Sequence, residues 1–163
     1  IWQNLPYAVS EASVFQRGWP TAPDCWRDAS LNEPMQQLRE LRTSVNKVLE
    51  DCRSRGELGA SLEAAVRLEA HNPSLQSALQ WLNDQGHDEV DGLRDWLLVS
   101  QLQIGGEPWA ELLANHDDNV ALIEVARARG SKCERCWHYE SDVGQHADHP
   151  HLCGRCVSVL GRL

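Results

Sequence analysis

Lys132-Cys133-Glu134-Arg135-Cys136-Trp137-His138-Tyr139 and Cys153-Gly154-Arg155-Cys156 hold two Cys-x-x-Cys pairs, separated by the sixteen residues 137–152. Two intervening residues allow a tight knuckle whose cysteines both face inward, and two knuckles at this separation can deliver four thiolates to one tetrahedral zinc, each sulfur about 2.3 Å from the metal. Four cysteines close the shell. A catalytic zinc keeps three protein ligands and an open position, so one structural Zn²⁺ is expected on Cys133, Cys136, Cys153 and Cys156. A redox pair would need one low-pKa thiol near a helix start and has no use for a second pair. His138, His146, His149 and His151 lie inside the loop and could replace a cysteine; a disulfide is the remaining alternative.

Four thiolates on one Zn²⁺ leave a formal charge of minus two, which repels phosphate unless cations offset it. Lys132, Arg135 and Arg155 are placed to do so. Trp137 can offer a flat face to an unstacked base, worth about 1–3 kcal/mol and tolerant of base identity. The plainer readings are an indole packed over the knuckle and an Arg135 that meets only thiolate or solvent. Tyr139 is read as packing.

The 163 residues, 42% hydrophobic, suffice for one moderate core or two small ones. Net charge is −9. It is uneven: residues 1–131 hold eleven Lys or Arg against twenty Asp or Glu, and residues 132–163 hold four of each. Such a balance opposes broad electrostatic capture of nucleic acid, so any RNA contact should be local and guided by shape. No apolar run approaches the roughly 20 residues of a membrane span, and no membrane partner is expected. Ile1-Trp2-Gln3-Asn4 does not begin an export signal. Cys25 and Cys52 stand alone, which with the knuckles suggests a reducing, cytoplasmic setting. A start at Ile1 suggests a piece of a longer chain, and a monomer is expected.

Upstream, Pro6, Pro20 and Pro23 with Trp2, Trp19 and Trp26 predict irregular chain over apolar surface in residues 1–30. Ser30 and Glu33 match a capping box, and Met35, Leu38, Leu41, Val45, Val48, Leu49 and Cys52 recur at helical steps, predicting an amphipathic helix that ends near Gly56. Its other face carries Arg39, Arg42, Lys47, Arg53 and Arg55, read mainly as a solvated face. Residues 62–68 alternate Leu62, Ala64, Val66 and Leu68 as a half-buried strand. Asn72 and Pro73 open a second helix that Gly86 should close. Residues 96–104 and 120–126 read as further strands. Trp81, Trp96 and Trp109 are read as core or cover. The fold class is α+β: an amphipathic helix, a small α/β unit and a zinc-ribbon-like module.

At residues 132–139 and 153–156 the chain resembles the C-terminal end of bacterial isoleucyl-tRNA synthetases, class I aminoacyl-tRNA ligases. Gly59-Ala60-Ser61-Leu62-Glu63-Ala64 and Leu97-Leu98-Val99-Ser100-Gln101 look like that family's segments upstream of its zinc module. The resemblance implies three parts: residues 1–57 as the end of a helical anticodon-binding domain, 58–130 as a small connecting domain and 131–163 as the zinc module. It implies zinc ligands at Cys133, Cys136, Cys153 and Cys156, and contact with the anticodon stem-loop of tRNA(Ile) at Arg135 and Trp137, with Lys132 and Arg155 beside them. The parent would join isoleucine to tRNA with ATP. Its catalytic and editing domains, missing partners of the same polypeptide, have no counterpart here, so the segment alone should bind no ATP and be inactive. The competing reading is a zinc ribbon that binds DNA or protein, like the finger that ends a family of DNA glycosylases. Those enzymes start with a proline nucleophile, and an acidic chain suits a free-standing DNA binder poorly.

Overall fold

The computed structural model describes residues 2–84 and 92–161. Gly86, expected to close the second helix, lies outside the described residues. The chain divides into two compact units between Ser30 and Leu31. Among the described residues no helix is long and apolar enough to cross a membrane.

Among its described residues the first unit has no α-helix, in keeping with its prolines, and contains 3-10 turns at Trp2–Asn4, Val14–Gln16 and Asp24–Trp26, with a further one, Ala29–Leu31, at its boundary. Trp2 is half-buried and donates from Nε1 to the Glu11 carbonyl at 3.0 Å. Trp19 and Trp26 are 98% and 76% exposed. Neither ring covers apolar surface within its own unit, whose turns at Val14–Gln16 and Asp24–Trp26 bury none of their own residues.

The second unit begins with α1 (Asn32–Ser54), which buries Leu38, Leu41, Val45, Val48, Leu49 and Cys52 on one stripe. The expected capping box does not form: Leu31 occupies the cap position, and the Ser30 hydroxyl instead donates to Asp28. The cationic face is largely engaged in local contacts. Arg42 stacks over the Trp96 ring at 4.9 Å, Arg53 pairs with Glu50, and Arg55 pairs with Glu57 and donates to the Leu113 carbonyl.

Four strands follow, β1 (Ala64–Ala70), β2 (Gln101–Ile104), β3 (Ala114–Asp117) and β4 (Ala121–Arg127), in the spatial order β2-β1-β4-β3. β1 runs parallel to β2 and antiparallel to β4, so the sheet is mixed. Between β1 and β2 lie α2 (Pro73–Asp84), with Asn72 Oδ1 accepting from the Leu75 N–H at 2.7 Å, and the short α3 (Gly92–Leu97). Residues 96–104 are therefore not one strand. Leu93 and Leu97 are buried one helical turn apart, Leu98 turns the chain at φ +57°, and only the last four residues pair. β3 was not foreseen. Its Ala-Asn-His-Asp sequence carries weak strand propensity, and its place at the sheet edge asks for little apolar surface.

Ala64, Val66 and Leu68 of β1, with Ala121, Ile123 and Val125 of β4, share one core with α1, α2 and α3. Strand alternation sends Ala65 and Arg67 to the other face, where they are also buried, at 4% and 2% exposure. There Arg67 lies directly across from Glu124, Nη1 to Oε2 3.1 Å, and donates to the carbonyls of Gly105 and Gly106 at 3.1 and 2.8 Å. The two glycines, at φ +65° and +76°, turn the chain after β2 so that residues 105–113 cross this second face.

The last module holds a two-stranded ribbon, β5 (Ser131–Lys132) with β6 (Tyr139–Glu140), and α4 (Gly154–Leu160). Gly130 enters the ribbon at φ +95°, and a Cβ there would lie 2.5 Å from the Glu140 carbonyl. Only glycine fits. Helices, a mixed sheet and a four-cysteine module make the fold α+β.

Candidate metal centre

Each knuckle is shaped by its own backbone. In the first, the Trp137 N–H donates to the Cys133 carbonyl at 2.9 Å and the Cys133 N–H to the His138 carbonyl at 2.9 Å, which folds the two cysteines to one side. In the second, Cys153 caps α4 and Cys156 sits in its first turn. The Gly154 N–H donates to Asp142 Oδ2 at 2.7 Å, where a Cβ would come within 2.6 Å of the same oxygen.

The result brings the four predicted sulfurs within 4.8 Å of one another, and among the described residues no other group of three or more His, Cys, Asp or Glu side chains meets so closely. Cys136 Sγ and Cys153 Sγ are 3.7 Å apart. A tetrahedron with 2.3 Å arms has edges of about 3.8 Å, so the donor set fits Zn²⁺, whereas a disulfide requires about 2.05 Å. All four cysteines are free thiols. The histidines stay outside the shell: His138 is buried beside Asp95, His146 faces Asp142, and His149 and His151 are exposed.

Burial pushes the Cys133 thiol up, yet the backbone N–H groups of Cys136, Cys153 and Arg135 outweigh it and bring the thiol down to about 6. Burial pushes Cys136 up to about 11, and Cys153 is likewise raised. Bound zinc would supply the positive charge that keeps all four deprotonated and joins the two knuckles.

Around the sulfurs the predicted contact residues part company. Lys132 and Arg135 are exposed, and Lys132 Nζ sits 5.7 Å from the centroid of Trp137. Trp137 is 60% exposed and adopts φ +67°, a conformation that disfavours large side chains. Arg155 is turned inward, pairing with Asp95 at 3.2 Å. That pair belongs to a seam between the module and the sheet domain. Arg94 bridges Glu140 at 2.9 Å and the Ser100 carbonyl at 3.1 Å, while the Ser100 hydroxyl accepts from the Tyr139 N–H at 2.8 Å and donates to the Leu62 carbonyl. Asp95, Arg94 and Ser100 carried no signal in the sequence, since each meets its partner across roughly forty or more residues.

Residues 130–159 match a pattern described as a zinc finger found in FPG and IleRS. Over nearly the whole chain the likeness is more specific. It is 74% identical over 162 residues to the isoleucine--tRNA ligase of Parasynechococcus marenigrum strain WH8102, covering 99% of this chain and 17% of that protein. The chain corresponds to a C-terminal segment of isoleucine--tRNA ligases. Against the isoleucine--tRNA ligase of Prochlorococcus marinus strain MIT 9313 identity is 75% over 160 residues, 98% of this chain and 16% of the relative. Against that of strain MIT 9515 it is 39% over 160 residues. The segment thus spans about one sixth of the length of these ligases. The zinc-finger pattern alone admits two families; the residues before it match ligases.

Proposed function

We propose that this segment carries the tRNA contact of an isoleucine--tRNA ligase: one structural zinc folds residues 131–163 into a platform for the anticodon stem-loop of tRNA(Ile). The remainder of the polypeptide attaches isoleucine with ATP in the cytoplasm, as a monomer. The segment binds no ATP and is inactive alone. In this reading residues 1–57 end a helical anticodon-binding domain, and residues 58–130 position the module.

The observation that carries the proposal is Trp137. An indole held outward beside the metal knuckle, in a backbone conformation that costs about 1 kcal/mol or more for a bulky residue, is poorly explained by packing. An exposed ring flanked by Lys132 and Arg135 suits an unpaired base and its phosphate. Arg155 acts differently, through Asp95, by holding the module in place. The competing reading, a DNA-binding or protein-binding finger, draws on the shared zinc-finger pattern but leaves residues 1–129 without a role.

The test is competition binding with tRNA(Ile) and duplex DNA at stated salt. Trp137→Ala in the full-length ligase should weaken tRNA binding by about 1–3 kcal/mol with isoleucine activation unchanged. Preference for duplex DNA, or parallel loss of activation, would contradict the proposal.

A further inference from the structure

On the sheet face away from the helices, a cavity of about 800 Å³ opens between the loop after β2 and the end of β4. Its floor is the cross-strand pair Ala65 and Ala126, of which Ala65 is buried and Ala126 half-buried. Trp109 lines it, its Nε1 fixed by Gln103 Oε1 at 2.9 Å. Arg127 and Arg129 line it too, both exposed, against the single carboxylate of Glu111 in the lining.

The walls are held in place. Gln101 Nε2 donates to the Arg129 carbonyl at 2.9 Å, and its Oε1 accepts from the Arg129 N–H at 3.1 Å, fixing the chain beyond β4. The buried Arg67 fixes the opposite wall through Gly105 and Gly106. One aromatic ring and two exposed cations thus line one groove. Such a combination takes a base against the ring and phosphates against the guanidinium groups.

Its place along the chain gives it a partner. Residues 127–137 hold Arg127, Arg129, Lys132 and Arg135 against Glu134 alone, a local net charge of +3 in a chain of net charge −9. Arg129 and Lys132 are three residues apart, so their Cα atoms lie within about 11 Å. We propose that the groove bounded by Trp109, Arg127 and Arg129 is a second RNA-binding subsite, which takes a single-stranded stretch of the same tRNA whose loop lies on the zinc knuckle. The inference rests on the tRNA reading above and adds to it a site on the sheet domain.

The experiment measures tRNA(Ile) affinity of the zinc-loaded full-length protein against salt concentration, for the native protein, R127A/R129A, R127K/R129K and W137A. Each phosphate neutralised on a single strand contributes about 0.7 to the slope of log K against log salt. R127A/R129A should therefore lower the slope by about 1.4 and weaken binding about tenfold at 0.15 M salt, with zinc content and thermal transition unchanged. R127K/R129K should keep the native slope. An R127A/R129A protein with native affinity and slope overturns the groove alone and leaves the knuckle standing, provided W137A still weakens binding. An R127K/R129K protein that loses as much as the alanine variant also overturns the groove. A native protein that fails to bind tRNA overturns both.

Discussion

Replacing Arg67 by methionine should destabilise the sheet domain by about 3–5 kcal/mol, the usual cost of stranding one member of a buried ion pair. Arg67 and Glu124 have side chains only 3% and 4% exposed, directly opposite on neighbouring strands, with 3.1 Å between Nη1 and Oε2. In Arg67→Met the Glu124 carboxylate loses its counter-ion while still shut away from water. The carbonyls of Gly105 and Gly106 lie nearer the surface and can rehydrate, and Glu69 is half exposed, so most of the loss arises at Glu124. At about 3 °C per kcal/mol for a domain of this size, the melting temperature should fall by about 10–15 °C. Urea denaturation of the zinc-loaded chain measures the free-energy loss and a thermal melt the temperature shift, with bound zinc unchanged. Adding Glu124→Leu should restore most of the stability, since a buried pair replaced by apolar side chains is commonly neutral or better. A loss below about 1 kcal/mol, or a double variant no more stable than the single one, would refute the reasoning.

Cys133→Ser or Cys153→Ser should abolish stoichiometric zinc and unfold residues 131–161 locally, because a structural zinc contributes about 10–16 kcal/mol of apparent folding free energy; hydrogen exchange should rise there and stay slow in β1 and β4. Zinc binding at pH 7 should release at least two protons, since burial holds Cys136 near 11 and raises Cys153, whereas Cys133, near 6, is already mostly thiolate. Zinc affinity should therefore climb with pH through neutrality, which calorimetry in buffers of different ionisation enthalpy can count. Burial raises the Asp118 carboxyl, but the Ala121 N–H, the Ser44 hydroxyl and the Val120 N–H outweigh it and hold its pKa below the ordinary value. Its stabilisation of the β3–β4 turn is complete above the unfolded pKa of about 3.9 and fades as pH falls through the lower folded value. Asp118→Ala should accordingly cost about 1–2 kcal/mol at pH 7 in urea denaturation, with the gap narrowing below pH 4.

What the chain reveals before folding is governed by sequence distance. The cysteine quartet is legible because each knuckle closes within a few residues, and α1 because its stripe repeats along one helix. The apolar run from Trp96 to Val99 is ambiguous, since a short stretch of continuous hydrophobicity fits either a buried strand or a helical turn; packing of Leu93 and Leu97 decided for the turn there and left the strand to Gln101–Ile104. Arg67 gave no warning: alternation placed it off the core face, and only the loop of residues 105–113 makes that second face an interior. Arg155 shows the same limit at the candidate site. Its spacing from the thiolates suggested RNA, and its partner Asp95 is sixty residues away.

Cobalt substitution tests the central claim most directly. The zinc-free chain titrated with Co²⁺ should take up one ion and show the intense visible absorption and thiolate charge transfer of a tetrahedral four-sulfur site, lost in Cys136→Ser. A weak octahedral, oxygen-rich spectrum, or uptake well below one ion per chain, would contradict it.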